Sequence, residues 1–240
     1  MNRLLITTIA VTLLTLTGCT IRIPTKPNVS GSGVSKSETR EIGDFHGVKV
    51  SVGMNVRVTC DQDPALKITG DDNIIPLIIT EVKNGVLEIR SDENLDPVAE
   101  SLIEIQVKSV DQLMIEGSGD IEVAGMKCEA GKIVIAGAGS VTGDVDAASL
   151  SLSVAGSGDI ALKGRSPQLD LSISGSGNGM LEELIADDVS ISIAGSGDVA
   201  VHADKSLKVS VSGSGDVVWS GSAGDVKSTI MGSGAVTKKE

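Results

Sequence analysis

The sequence predicts an all-β protein, a right-handed parallel β-helix with rungs of about 19 residues and an irregular N-terminal part. Three observations predict this fold class. A Gly-x-Gly triplet recurs at a nearly constant interval, apolar columns with the period of a strand flank each triplet, and the strand patterns before the first triplet are less regular.

The glycine repeat sets the length of the unit. A fixed interval near 20 residues indicates a stack of one supersecondary unit. Glycine adopts the positive φ that a tight corner needs, so we interpret each triplet as the corner of a rung. The triplets begin 18 to 20 residues apart, at Gly117, Gly137, Gly156, Gly175, Gly195, Gly213 and Gly232.

Strand patterns lie on both sides of each triplet. Two positions before the first glycine, all seven units carry isoleucine or valine, and the preceding apolar column is interrupted only at Ser228. After the corner a second apolar column follows, with Gly179 as its exception, and Trp219 falls in the next inward column, where we expect it to fill the core. Alternation with period two is typical of half-buried strands, and parallel crossovers are overwhelmingly right-handed. An antiparallel meander or barrel is the alternative.

The N-terminal part of the domain carries strands without the glycine interval. Residues 48–59 alternate with Gly53 at a corner, and residues 65–69, 86–90 and 102–107 are predicted as further strands. Irregular terminal units are expected in a solenoid because the first rung must cover its edge. Residues 73–83 fit either a short helix or a strand, since Pro76 is compatible with both.

The start of the chain indicates export. Residues 1–18 contain Arg3 and an apolar run too short for a membrane span, which is typical of a signal peptide. The sequence Leu-Thr-Gly-Cys that ends at Cys19 resembles the bacterial lipoprotein box, so we expect acyl chains on Cys19 to anchor the protein in a membrane. Thr20, in place of aspartate, favours the outer membrane, with the domain facing the periplasm or the cell surface.

The remainder divides into a tether and one domain. Residues 19–37 include two prolines and little apolar pattern, so they are predicted to be a lipidated tether, and residues 38–240 are predicted to be a single domain. The chain has 32 acidic and 20 basic residues and a net charge of −12, which argues against a nucleic-acid partner. Cys60 and Cys128 lie several rungs apart in this interpretation, which favours buried, unpaired thiols.

A polar column follows the triplets. Stacked carboxylates suit a calcium or ligand site, whereas Asp and Asn after glycine also complete turns by accepting backbone hydrogen bonds. Interruption of the charge by Ser140, Asn178 and Ala235 favours the turn, and a calcium-binding solenoid is kept as an alternative. The acidic members of this corner column are Asp120, Asp159, Asp198 and Asp216.

Several segments resemble one bacterial family. The stretches FHGVKVSVGMNVRVT (residues 45–59), LKITGDDN (66–73) and TEVKNGVLEI (80–89), followed by repeated GSGDI-type corners, are similar to the family described as "putative auto-transporter adhesin, head GIN domain". The resemblance extends over residues 41–236. It implies a β-helical domain in exported, often membrane-anchored proteins, and it carries no catalytic residues and no mechanism.

These features predict an envelope lipoprotein with a binding or scaffolding domain, adhesin-like, whose partner is a glycan or a protein of the envelope or the cell's surroundings. A carbohydrate-active lyase or glycosidase is the alternative, because β-helices also host such enzymes. The chain has only two histidines, His46 and His202, and we expect His202 to face solvent. We therefore predict that the protein is not an enzyme and that it has no cofactor.

Overall fold

Strands make up most of the described chain. The structure is a computed structural model that describes residues 27–239, so the predicted signal peptide and Cys19 lie outside the described residues. One short 3-10 helix, Ile75–Leu77, interrupts the strands. The strands are β1 (Asn28–Ser30), β2 (Ser35–Arg40), β3 (Gly47–Val50), β4 (Asn55–Thr59), β5 (Ala65–Asp71), β6 (Ile78–Lys83), β7 (Val86–Ser91), β8 (Asn94–Asp96), β9 (Leu102–Gln106), β10 (Gln112–Gly117), β11 (Ile121–Gly137), β12 (Val141–Gly156), β13 (Ile160–Arg165), β14 (Gln168–Gly175), β15 (Gly179–Gly195), β16 (Val199–Gly213), β17 (Val217–Ser220), β18 (Asp225–Gly232) and β19 (Val236–Lys238).

From β10 onward the chain winds as a solenoid of parallel rungs, as the sequence predicts. The first glycines of the seven triplets pair with one another in register, from Gly117 on Gly137 to Gly213 on Gly232. Each rung places one strand before its corner, in what we call the first wall, and one after it, in the second wall. The strands β11, β12, β15 and β16 are long because they run from the second wall of one rung into the first wall of the next.

The apolar columns form the core. The first-wall column that contains Ile115, Ile173 and Ile193 is at most 1 % exposed through six rungs. In the second wall, Trp219 is buried in the column of Val201 and Leu181, as expected. At Gly179, the space that a side chain would need is filled by Leu171, whose Cδ2 atom lies 3.1 Å from where a Cβ would stand.

The two glycine positions of each triplet require glycine for different reasons. Gly195 has φ +142°, the backbone conformation that the sequence predicts at the corner. Gly197 has no positive φ; a Cβ there would overlap the carbonyl oxygen of Gly177 in the neighbouring rung. The second glycine therefore permits close approach of rungs rather than a special backbone conformation.

Antiparallel strands cover the N-terminal end. Strand β6 pairs antiparallel with β7 at the outer edge of the first wall. In the second wall, β5 pairs antiparallel with β9, and β2 pairs antiparallel with β5. The predicted strands of this region are confirmed, and residues 73–83 contain both predicted elements, the 3-10 helix and β6. In the last rung, by contrast, every residue of β18 is exposed.

The folded part begins earlier than the sequence pattern indicates. Strand β1 pairs with β8, and β2 starts at Ser35, so the predicted tether of residues 19–37 contains β1 and the first residues of β2. The buried carboxylate of Asp71 holds this segment: its Oδ1 accepts the Gly33 N–H at 2.6 Å, and its Oδ2 accepts the N–H groups of Val98 and Ala99 at 2.9 and 3.0 Å. A short polar segment without apolar pattern is thus ordered by its pairing with β8 and by hydrogen bonds with Asp71 and Asn73.

Candidate functional site

The acidic corner column connects successive rungs. The Oδ1 atom of Asp198 accepts the backbone N–H of Asp216 at 2.8 Å, and Asp216 Oδ1 accepts that of Ala235 at 2.8 Å. Asn178 continues the pattern through its amide oxygen, which accepts the Asp198 N–H at 3.0 Å. The same arrangement joins Asp120 to Ser140 and Asp159 to Asn178, each at 2.8 Å.

This geometry supports a structural role for the column. Each of these oxygens accepts a hydrogen bond from a backbone N–H of the next rung. The hydrogen bond therefore connects two neighbouring rungs and does not close the turn in which the Asp or Asn residue itself lies. Asparagine can replace aspartate because both offer an acceptor oxygen. Within residues 27–239 no three His, Cys, Asp or Glu side chains are grouped to hold a metal ion, which gives the calcium interpretation no support.

His202 lies in a small network rather than in open solvent. Its side chain is 21 % exposed, its Nδ1 lies 3.2 Å from the Ser220 hydroxyl, and its Nε2 lies 3.2 Å from Asp204 Oδ1. Asp204 also accepts the Ser222 hydroxyl and backbone N–H, and these bonds, with His202, lower its pKa. The network joins two rungs at the end of the second wall. His46 stands in another rung, with its Nδ1 2.8 Å from Asp111.

The two cysteines of the described chain are free thiols, as predicted, but the expectation that they lie several rungs apart is wrong, because β4 pairs with β11 and so places Cys60 and Cys128 in neighbouring rungs. Cys60 is buried and Cys128 is half-buried, so the expectation of full burial holds for the first alone. Burial raises the pKa of both thiols, which lowers the fraction of reactive thiolate at neutral pH.

The second wall carries a shallow trough on its outer surface. It has a volume of about 510 Å³ and crosses the rungs from Glu122 to Ala200. Its floor is formed by outward side chains that stack in register, Thr142 on Ala161 on Met180 on Ala200. The Met180 side chain is 52 % exposed there, and the column continues to Val218, which is 37 % exposed. From Ala161 to Val218 this outward column is aliphatic, and a contiguous exposed apolar patch is a feature of interaction surfaces.

Charged side chains line one side of the trough. Asp144, Lys163, Glu182 and Glu183 stand beside its floor, and Glu122 closes one end. Glu182 and Glu183 lie where the register of β15 shifts against both neighbours, so two adjacent acidic residues occupy a bulge. Two of the carboxylates have basic partners, since Glu122 meets Arg57 Nε at 2.9 Å and Glu182 meets Lys239 Nζ at 2.9 Å.

Sequence reasoning did not find the trough. The signal was available: the position after the first apolar residue of the second wall reads Glu122, Thr142, Ala161, Met180, Ala200 and Val218 along the repeat. The polar serine faces of the first wall, which are also evident in the sequence, are outward and half-buried to exposed, and consist of Ser151, Ser153, Ser172, Ser174, Ser190, Ser192, Ser210 and Ser212.

A family model describes most of this solenoid. The model for "Putative auto-transporter adhesin, head GIN domain" matches residues 44–223. The chain belongs to this family. The match begins just before β3 and ends just after β17, so it includes the whole trough and strands β5 and β6 of the antiparallel cover, but not β2. The resemblance predicted from the sequence is therefore confirmed.

Solved structures share the fold. A "putative adhesin" from Bacteroides fragilis superposes with a TM-score of 0.84 at 24% identity, covering 88% of this chain and 100% of that one. A "putative lipid binding protein" from Parabacteroides distasonis has a TM-score of 0.71 at 24% identity, covering 89% and 100%. A "putative adhesin" from Parabacteroides merdae has a TM-score of 0.70 at 20% identity, covering 89% and 99%. No curated protein matches the sequence.

Proposed function

We propose that this protein is an adhesin-like binding protein of the bacterial envelope, anchored through acyl chains on Cys19 and binding its partner in the trough of the second wall. The observation that carries the proposal is the exposed aliphatic floor with Met180 at its centre. An apolar column on the outside of a solenoid costs solubility unless another molecule covers it. Membership in the adhesin family supports the same conclusion.

The anchoring part of the proposal comes from the sequence of the first residues. No helix of the described chain is long and apolar enough to cross a membrane. Attachment would then depend on the lipoprotein box at Cys19, with Thr20 directing the protein to the outer membrane. In cells fed with labelled palmitate, the wild type is expected to incorporate label and the Cys19→Ser variant is not. An unlabelled wild type would refute the anchor.

The binding part is tested on glycan and matrix-protein arrays with the full chain carrying Cys19→Ser, which removes the lipid. Ala161→Trp places a bulky side chain on the trough floor, and Ala155→Trp places the same side chain on an exposed position of the first wall. We expect array binding to be lost in the first variant and retained in the second. Equal binding by the wild type and Ala161→Trp would exclude the trough as the binding surface.

The two other functions considered from the sequence receive no support. The corner carboxylates accept backbone hydrogen bonds from the next rung, which is a structural use of those oxygens. The family and the superposed structures are described as adhesins or as a lipid-binding protein, and none of these descriptions is that of an enzyme.

A further inference from the structure

We infer that the trough binds an extended peptide segment in which basic and aliphatic side chains alternate. This inference rests on the proposed function and names the class of partner that the trough accepts.

The dimensions of the trough suit an extended chain. The trough crosses five rungs, from Glu122 at its closed end along the floor of Thr142, Ala161 and Met180 to Ala200. Neighbouring strands lie about 4.8 Å apart, so the trough is about 19 Å long. A β-strand advances about 3.3 Å per residue, and about six residues of an extended peptide would therefore lie along it.

The floor selects aliphatic side chains. Ala161 and Ala200 are small and leave space on either side of the Met180 thioether, which is exposed and flexible. Methionine adapts its shape to different apolar partners. Every second side chain of an extended peptide would point to this floor, and the others would point away from it or toward the rim.

The rim selects several positive charges spread along the partner. Its carboxylates are distributed over three rungs, at Glu122, Asp144 and the Glu182–Glu183 pair, and Lys163 is the one basic residue among the lining side chains. A single-headed cationic amphiphile would neutralise only one of these carboxylates, and an anionic lipid headgroup would be repelled. A chain with repeated lysine or arginine neutralises them together.

The existing ion pairs do not prevent this binding. Arg57–Glu122 and Lys239–Glu182 are exposed pairs, with side chains 44 to 57 % exposed, and such pairs exchange readily for an incoming cation. Asp144 already accepts the Gly125 N–H through Oδ2 at 2.8 Å, which fixes its carboxylate beside the floor. Beyond Asp144 the surface continues into a smaller hollow of about 220 Å³, where the acidic Asp144 and Asp146 are matched by the basic Lys127 and Arg165, so the excess of carboxylates does not extend into it.

The test is calorimetric titration of the full chain carrying Cys19→Ser with the synthetic peptide acetyl-KVKVKVK-amide at low salt. We expect saturable binding that weakens with added salt. Glu183→Gln and Asp144→Asn are each expected to weaken it about two- to fivefold, the effect of an exposed ion pair. Lys163→Gln is expected to strengthen it by a similar factor, and Met180→Ser to weaken it through the lost apolar contact. Circular dichroism checks that each variant, altered at an outward position, keeps its strands.

Matched controls separate this binding from general attraction to an acidic protein. Asp170→Asn removes one negative charge from the outer surface of the first wall and is expected to leave affinity unchanged. Equal losses in Asp170→Asn and Glu183→Gln would overturn the inference, as would equal binding of acetyl-EVEVEVE-amide or of acetyl-KSKSKSK-amide. Binding of spermine as tight as that of the peptide would indicate a polyamine site, and binding of phosphatidylglycerol vesicles that Met180→Ser abolishes would indicate a lipid surface; both would refute it.

Failure of this inference is distinguishable from failure of the proposed function. If the peptide does not bind but array binding is still lost in Ala161→Trp, the trough is the binding surface and the class of ligand is wrong. If neither assay responds to changes in the trough, the proposed function fails as well.

Discussion

Alanine substitutions at glycines of the repeat can measure separately the two constraints that require glycine there, which are the positive φ and the close approach of the neighbouring rung. Gly117 has φ +120°, and a Cβ placed on it would meet nothing within 4 Å. Gly197 has no positive φ, but its Cβ would overlap the Gly177 carbonyl oxygen and lie 3.2 Å from Ile173 Cγ2. Gly195 combines both constraints, with φ +142° and a Cβ that would overlap the Gly175 backbone. Gly224 has neither and is the matched control.

The expected magnitudes follow from these contacts. Forcing alanine into a backbone region that only glycine uses costs about 1–3 kcal/mol, which is the expected effect of Gly117→Ala. Overpacking between rungs costs about 1–3 kcal/mol, which is the expected effect of Gly197→Ala. Gly195→Ala is expected to lose about 2–6 kcal/mol because both costs apply. Gly224→Ala is expected to change the free energy of unfolding by less than about 0.5 kcal/mol, or to raise it because alanine gives the unfolded chain less conformational entropy than glycine.

Urea unfolding followed by far-UV circular dichroism measures the four variants against the wild type. The slope of the free energy with urea should stay constant, because a change would mean that the rungs no longer unfold together. Equal losses in Gly117→Ala and Gly195→Ala would refute the argument that the rungs approach too closely for a side chain. A neutral Gly117→Ala would refute the argument from φ.

Three further predictions concern the core, the corner and the N-terminal cover. Ile193→Ala is expected to lower the free energy of unfolding by about 2–5 kcal/mol by opening a cavity between rungs, whereas the outward Ser192→Ala should cost under about 0.5 kcal/mol. Asp198→Asn should leave the free energy of unfolding nearly unchanged, whereas Asp198→Ala should lower it by about 1 kcal/mol because the Asp216 N–H loses its acceptor. Calcium should not raise the Tm of the wild type or of either Asp198 variant. Burial raises the pKa of Asp71, but the hydrogen bonds from Gly33, Ala99 and Val98 outweigh it and hold that pKa below its ordinary value. The stability that Asp71 contributes is therefore present above its unfolded-state pKa of about 3.9 and is lost as the pH falls through the lower folded-state pKa, a loss that Asp71→Asn should abolish in acid-unfolding curves.

The regular part of the fold was accessible from the sequence because each rung repeats the same physical requirement. In-register stacking aligns like positions, so the column of Ile173 and Ile193 and the glycine corners appear directly as periodic residues. The sequence also indicated that the N-terminal end is covered. It did not show that antiparallel strands β2, β5 and β6 form the cover, since pairing direction depends on connections that the residue pattern does not record.

Elements held by polar interactions with distant residues were not accessible. The polar segment before Ser35 has no strand pattern, and it is ordered by pairing with β8 and by hydrogen bonds with Asp71 and Asn73, some forty residues later in the chain. Likewise, Gly197 looked like a second positive-φ glycine, and only the position of the neighbouring Gly177 carbonyl shows its role. The trough was missed because the periodic apolar residues that mark a core lie in inward columns, and Met180 lies in an outward one.

Site-specific photocrosslinking in intact cells tests most directly whether the trough is the binding surface. Benzoylphenylalanine in place of Ala161 puts the probe on the trough floor, and in place of Ala155 puts it on the first wall. After irradiation, we expect crosslinked products from position 161 alone, with mass spectrometry locating the bond in a segment of alternating basic and aliphatic residues. The same products from both positions, or products from position 155 alone, would contradict the assignment of the trough as the binding surface.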